Sequence, residues 1–271
     1  MRILWLLLIA LLLCNGAISA EKDTVAIKKT GFVKALVQDS WQIGTAPLRW
    51  KKKQWLQFTA VGATTGVLML SDEAIRDFFQ DNRSKFLDDV SKHTLEPWGT
   101  GTLYRSYAMG FTAGMLGIGL ATKDEYMTET VGILLRSMII TSASVHVIKY
   151  AAGRTRPNRP PYSSNDWNPF QGEKSFVSGH AAQVMTFATV LAERYKHIKW
   201  VPIASYSLGV LSSVSRMYDN KHWASDVFVG GLIGYIVGKS TCRFNKNRST
   251  KWFPSISSVD GQLTYGFTYQ F

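Results

Sequence analysis

The sequence predicts an all-α protein, a bundle of apolar helices with a short C-terminal β-hairpin. Three observations carry that prediction. Apolar runs of helical length recur between Trp55 and Lys239, separated by polar or Gly/Pro-rich turns. Strict period-two alternation, the mark of a half-buried strand, is confined to the C-terminal end. Hydrophobic residues make up 46% and charged residues 18% of the 271 residues, enough apolar side chain for a sizeable core.

Taken in order, residues 1–20 (MRILWLLLIALLLCNGAISA) have the build of an export signal. Arg2 gives the positive start, Ile3 to Leu13 the apolar run, and Ala17 to Ala20 small residues for cleavage. An uncleaved anchor helix is the alternative. Residues 21–54 form a polar, peripheral segment. Phe32, Val33, Leu36 and Val37 make a short helical stripe there, and Arg49 to Lys53 (RWKKK) is a candidate membrane-surface contact. The bundle is expected over residues 55–240. Trp55 to Leu70 is an apolar run. Ser71 is expected to cap a new helix, with Asp72 and Glu73 in its first turn where the helix dipole favours acids. Ile75, Phe78, Phe79, Phe86, Leu87 and Val90 would form its apolar face, and Pro97, Gly99 and Gly101 would end it. Tyr107–Thr122 and Val131–Tyr150 are further helices, then Pro157–Lys174 is a loop rich in Pro, Asn, Ser and Asp. His180–Tyr195, Val201–Val214 and Ala224–Lys239 complete the bundle. Residues 241–271 are a basic tail and hairpin: Ile256–Val259 and the alternating Leu263, Tyr265, Phe267, Tyr269 and Phe271 flank Asp260-Gly261, a type I′ turn signal.

The net charge of +12 favours anionic partners. The sequence carries no helix-turn-helix, zinc-finger or single-strand-binding signature, which disfavours nucleic acid and leaves phosphorylated substrates and a membrane surface. Cys14 lies in the leader and Cys242 stands alone, so the mature chain has no internal disulfide. The basic clusters Arg49–Lys53, Lys196–Lys199 and Lys239–Arg248 fall on the side opposite the motif loops described next, as in an integral protein with an outward-facing site. A cleaved signal would put those loops inside instead. With a mean hydropathy of −0.03, and with Arg136 and His146 inside one helix, the expectation is an exported bundle. It would lie in the periplasm or on a membrane face of a bacterial envelope, and an integral inner-membrane protein is the alternative.

Three short pieces concentrate the chemistry: KYAAGRTRP (Lys149–Pro157), SFVSGH (Ser175–His180) and SRMYDNKHWASD (Ser215–Asp226). Lys149 ends a helix, Arg156 follows in a loop, and Arg216 arrives from the end of another helix. Guanidinium forks match phosphate oxygens and lysine adds a point charge. Ser178-Gly179 opens a helix, where free backbone N–H groups face an anion and glycine permits close approach. His222 and Asp226, four apart, share one helix face with Cβ atoms ~5–6 Å apart, so the carboxylate can fix the imidazole tautomer. Singly, each has a plain reading: a solvated cation, an ordinary cap, an incidental histidine. His146 reads as packed, His93 and His197 as solvated, and Trp223 as packing, while Asp219, Asn220 and Lys221 are placed to shape a substrate mouth.

In combination, Lys149-x6-Arg156-Pro157, Ser178-Gly179-His180 and Ser215-Arg216-x5-His222-x3-Asp226 resemble the signature of the type 2 phosphatidic acid phosphatase superfamily. That superfamily includes lipid phosphatases, bacterial acid phosphatases and vanadium-dependent haloperoxidases. The resemblance covers about Val131 to Lys239, and departs from the usual pattern at Val177, where proline is customary. It implies a helical bundle and a metal-independent phosphatase without a cofactor, the cations supplying the charge a metal would. His222 would be the nucleophile and form a phosphohistidine, Asp226 would orient it, and His180 would be general acid and then base. Lys149, Arg156, Ser178, Gly179 and Arg216 would bind the phosphoryl group. The substrates implied are phosphate mono- or diphosphate esters of envelope lipids. A soluble broad-specificity acid phosphatase and a vanadate-dependent peroxidase are the alternatives, and intact Lys149, Arg156, His180, Arg216, His222 and Asp226 argue against a relic site.

Overall fold

The computed structural model describes residues 31–99, 106–171 and 174–249, and the backbone of residues 252–259 and 262–269. The expected export signal with Cys14, the break at Gly101 and the Asp260-Gly261 turn lie outside the described residues.

The body is helical. Helix α1 spans Phe32–Gly44, and a 3-10 turn, Ala46–Arg49, with Pro47 early in it leads on. The long α2 runs Lys52–Asp81. Short α3 (Lys85–Val90, capped by the Ser84 hydroxyl) continues through a π turn, Ser91–Leu95, into α4 (Glu96–Gly99). Then come α5 (Tyr107–Ala121), α6 (Glu125–Ala152), α7 (Gly179–Arg194), α8 (Trp200–Tyr218) and α9 (Ala224–Ser249). Ser106, Asp124 and Ser178 cap α5, α6 and α7 through their side-chain oxygens.

Two expectations are corrected. Ser71 caps nothing: α2 passes through it unbroken, and its hydroxyl donates back to the Val67 carbonyl at 3.2 Å. With no Pro or Gly at that point, back-bonding to residue i−4 lets serine continue a helix. The expected apolar face from Ile75 to Val90 is not buried as a face either: Phe78, Phe86 and Leu87 are exposed and the helix stops at Asn82. The basic stretch from Lys239 to Arg248 is helical, the last part of α9.

Helix α7 is the axis of the bundle. Ala181, Ala182, Val184 and Thr186 to Ala192 are all buried, so it is enclosed on every side, against α6, α8 and α9. The main core lies between α5, α6 and α7, where Phe111, Met115, Met127, Leu134, Phe187 and Tyr195 pack together. Helix α9 meets α7 through Gly230 and Gly234, one turn apart. A Cβ at Gly230 would lie 2.4 Å from the Ser178 carbonyl oxygen, and one at Gly234 2.2 Å from that of Ala182. The spacing of small residues brings the two backbones into contact.

The chain alternates between two ends. Helices α6 and α8 finish, and α7 and α9 begin, at the end that carries all three motif pieces. At the other end Asp39 of α1 is buried against Arg136 (3.2 Å) and Arg248 (2.6 Å), and Asn245 bonds Arg136 and Glu129. Among the described residues, Glu125–Ala152 is the helix long and apolar enough to cross a membrane by length and composition.

Candidate active site

Each motif piece reaches the site from a helix end. Helix α6 stops at Gly153, whose φ of 61° is left-handed and whose amide bonds the Lys149 carbonyl. A Cβ there would stand 1.8 Å from the Asn168 carbonyl oxygen, so glycine is needed for space as well as for φ. That turn leaves Lys149 in the last turn of α6 and sends Arg154 and Arg156 back across the end of the bundle. Lys149 Nζ donates to the carbonyls of Lys174 (2.5 Å) and Ser175 (3.2 Å), which ties helix and loop together.

The second piece starts α7. Ser178 is fully buried; its hydroxyl accepts from the Ala181 amide, and its own amide donates to the Asp226 carbonyl at 2.9 Å. Gly179 follows, then His180. The ring of His180 lies against Gly99 of α4, and its Nε2 is 2.9 Å from the Ser212 hydroxyl. That hydroxyl donates to the Leu95 carbonyl at 2.8 Å, so it is free to accept from His180. The hydroxyl thereby assigns the proton to Nε2 and leaves Nδ1 as the other, acceptor nitrogen.

Arg216 ends α8. Its guanidinium pairs with Glu96 (3.3 Å) and with Asp219. The turn after α8 carries His222, which is 6% exposed. Its Nδ1 lies 3.6 Å from Asp226 Oδ2, beyond hydrogen-bond length, and is a buried atom without a partner. Nε2 is then the nitrogen turned away from Asp226. Burial pushes the His222 imidazole down to about 4; the Asp226 carboxylate opposes the shift, and Lys149 and Arg156 add to it. The side chain is neutral at neutral pH, with its lone pair available.

Lys149, Arg156, Gly179, His180, Arg216 and His222 line one cavity of about 430 Å³. Ser178 and Asp226 do not line it. Both stand behind it, Ser178 as helix cap and Asp226 as the support of His222. The cavity is far larger than a phosphate group, and Glu96, Gly99, Ser142, Val145, His146, Gln183 and Lys221 form the rest of its wall. His146 is exposed and bonded to the Ser142 carbonyl at 2.7 Å, a cavity residue where the sequence suggested packing. Trp223 is buried and donates to the Thr155 carbonyl.

Sequence reasoning missed the support of Asp226. Arg154, inside the first motif, donates to Asp226 Oδ1 at 2.8 Å, and Ser175 donates to Oδ2 at 2.5 Å. Asp72 from α2 accepts from Arg154 at 2.7 Å. No local spacing marks these partners. The available signal was a third cation, Arg154, between two that line the cavity.

Comparison with known proteins gives similarities of sequence and of fold. Residues 130–250 match the model of the PAP2 superfamily. The lipid A 1-phosphatase of Porphyromonas gingivalis is 31% identical over 103 residues, 38% of this chain and 21% of that one. The undecaprenyl-diphosphatase of Sulfolobus acidocaldarius is 34% identical over 108 residues, 40% of this chain and 52% of that one. The chain thus spans about half, or less, of the length of these curated relatives. The crystal structure of Aquifex aeolicus LpxE has the same fold, with a TM-score of 0.50 and 24% identity over 64% of this chain and 94% of that one.

Proposed function

We propose, for a chain whose residues 130–250 carry a PAP2 superfamily domain, that it is a phosphatase of phosphorylated envelope lipids working through a phosphohistidine on His222. The observation that carries this reading is the convergence of Lys149, Arg156 and Arg216 on a cavity that also holds a buried, neutral His222. Phosphoryl transfer requires charge at the equatorial oxygens and a nucleophile in line with the leaving group. The three cations and the Gly179 amide hold the oxygens, while Ser178 contributes by capping the helix that presents that amide. His222 Nε2 attacks phosphorus, the P–O bond to the leaving group breaks, and that oxygen takes the Nδ1 proton of a His180 imidazolium, whose Nε2–H stays on the Ser212 hydroxyl and whose charge the bound phosphoryl oxygens favour. Water then gives a proton to His180 and attacks phosphorus, and the N–P bond breaks. The Asp226 carboxylate, 3.6 Å from Nδ1 of His222, offsets the positive charge the ring gains. No step draws on a metal.

A lipid substrate is favoured by the outer surface. Leu56, Val67 and Leu70 of α2, Val147 of α6, and Ile203, Val210 and Leu211 of α8 are exposed. Leu70 is 90% exposed while Asp72, two residues on, is fully buried. A helix with apolar side chains outward and a carboxylate inward suits an apolar solvent. We therefore read the bundle as seated in a membrane, with the site near one face and the basic residues of Lys51–Lys53 and Lys239–Arg248 near the other. The division into a leader (1–20), a peripheral segment (21–54), the bundle (55–240) and a C-terminal tail (241–271) belongs to the same reading. So does the terminal hairpin; its support is the alternating sequence and an antiparallel register that pairs Trp252 with Tyr269.

The test is phosphate release by the purified protein, beside His222→Ala, on an isoprenyl diphosphate and a phosphatidate in detergent and on soluble p-nitrophenyl phosphate. His222-dependent release from a lipid, with little from the soluble ester, is expected. Comparable release from the soluble ester would replace the lipid reading with a general acid phosphatase. Full activity in His222→Ala would end the phosphohistidine mechanism.

A further inference from the structure

Arg154 is fully buried, and all five of its N–H donors are spent inside the protein. Nε and Nη2 donate to the Ser164 carbonyl at 2.9 and 2.8 Å. Nη1 donates to Ser225 Oγ at 2.7 Å and to Asp226 Oδ1 at 2.8 Å, and Nη2 also donates to Asp72 Oδ2 at 2.7 Å. The guanidinium sits near the rings of Trp167 (4.8 Å) and Trp223 (5.5 Å). Nothing of it remains for substrate. Asp72 is the buried residue of α2. Its Oδ1 accepts from the Ser225 amide at 2.9 Å, and its Oδ2 accepts from the Ser225 hydroxyl at 2.6 Å.

Charge balance gives this cluster a purpose. Were Arg154 paired with Asp226 alone, its positive charge would cancel the carboxylate that must support His222. Asp72 supplies a second negative charge, so Asp72, Arg154 and Asp226 together carry a net charge of −1. A buried ion pair is a poor device for stability, because desolvation cancels most of its attraction. Asp72 also lies outside residues 130–250, on a helix that buries little else.

We propose that Asp72 and Arg154 are positioning residues of this site: Arg154 fixes the Asp226 carboxylate beside His222, and Asp72 neutralises Arg154 so that the Asp226–His222 pair keeps its negative charge. The proposal rests on the phosphohistidine reading above. The groups facing His222 are Asp226 from α9, Lys149 from α6, His180 from α7, Arg216 from α8, and Arg156 and Lys221 from the loops. Those cations disfavour an imidazolium, and the negative cluster behind Asp226 is the counterweight.

The experiment uses the full chain in detergent and compares Asp72→Asn, Arg154→Lys and Asp39→Asn with wild type. Asp39→Asn is the structural control, since it removes an equally buried carboxylate from Arg136 and Arg248 at the far end of the bundle. Asp72→Asn is expected to lower kcat roughly 10–100-fold, the usual size of an outer-partner loss, with KM little changed. It should also move the acid limb of kcat/KM to lower pH, because His222 protonates less readily. Arg154→Lys keeps the charge and loses the fork, so kcat falls while the limb stays. Asp39→Asn lowers the melting temperature and leaves both readouts alone. An Asp72→Asn protein with a wild-type limb overturns the proposal, whether or not kcat falls. If Asp72→Asn does not fold, Arg154→Lys decides it: a wild-type kcat there overturns it as well. Wild-type protein whose phosphate release is indifferent to His222→Ala instead defeats the underlying reading, a distinct result.

Discussion

Two adjacent glycines on α9 offer a sharp test of how the site is assembled. A Cβ at Gly230 would lie 2.4 Å from the Ser178 carbonyl oxygen and 3.2 Å from the Ser178 nitrogen, whereas a Cβ at Gly231 would meet nothing within 4 Å. Ordinary contact begins near 3.4 Å, so Gly230→Ala is about 1 Å too close to a backbone atom that has no rotamer to escape into. Relief requires α9 to move away from the start of α7. Ser178 belongs to the turn that presents Gly179 and His180, and its amide bonds the Asp226 carbonyl one turn before Gly230. The separation therefore opens between the two histidines. Overpacking of this kind costs about 1–3 kcal/mol of stability. A displacement of about 1 Å within a reacting constellation costs on the order of 100-fold in rate. Gly231→Ala gains helix propensity, up to about 1 kcal/mol, and disturbs nothing. Both variants would be purified in detergent, melted, and assayed for phosphate release at saturating substrate. A Gly230→Ala enzyme within twofold of Gly231→Ala would refute the claim that close α7–α9 contact sets the site geometry.

Two further outcomes follow from the histidines. Because burial holds His222 near 4 and only its neutral form is nucleophilic, kcat/KM should persist as pH falls from neutrality and be lost as pH drops through about 4. An ordinary imidazole would lose it near 6.5. A pH–rate profile corrected for the measured ionisation of the substrate separates the two, and a limb near 6.5 would contradict the burial argument. Ser212→Ala removes the hydroxyl that accepts from His180 Nε2, so a rate loss of about 10-fold or more is expected that grows with leaving-group pKa; equal losses across a series of leaving groups would show that Ser212 does not act through a general acid.

Much of the site was legible because its chemistry lies at helix ends, where motif and geometry coincide. Gly153 had to end a helix, so Lys149 and Arg156 on either side of it had to share that end. The spacing of His222 and Asp226 placed both on one face. Arg154 stands between Lys149 and Arg156, and sequence does not distinguish a cation aimed at the cavity from one aimed at a carboxylate. Its partner Asp72 stands 82 residues away in the chain, and the local rule that explained an acid after Ser71, a helix start, was satisfied by the wrong structure. The same local rule concealed the length of α2: serine and two acids look like a cap, but nothing in Leu70-Ser71-Asp72 forces the backbone out of helix.

The position of Asp72 also bears on what mean hydropathy can say of this chain. Hydropathy averages over residues, whereas solvent acts on faces. In α2 Asp72 points inward to Arg154 and Ser225, while Leu56, Val67 and Leu70 point outward. A stretch such as Val67–Asp72 has an unremarkable average and a locally inverted surface. Polar residues held inside cost little when they are fully bonded, as Asp72, Arg154 and Asp226 are, and outward leucines cost little when the surroundings are apolar. Both conditions are met together if the bundle lies in lipid, and the second fails in water. On the membrane-seated reading proposed above, the buried charge cluster and the exposed leucines are one design: a phosphate site carried at the end of a bundle whose outer face would be matched to lipid.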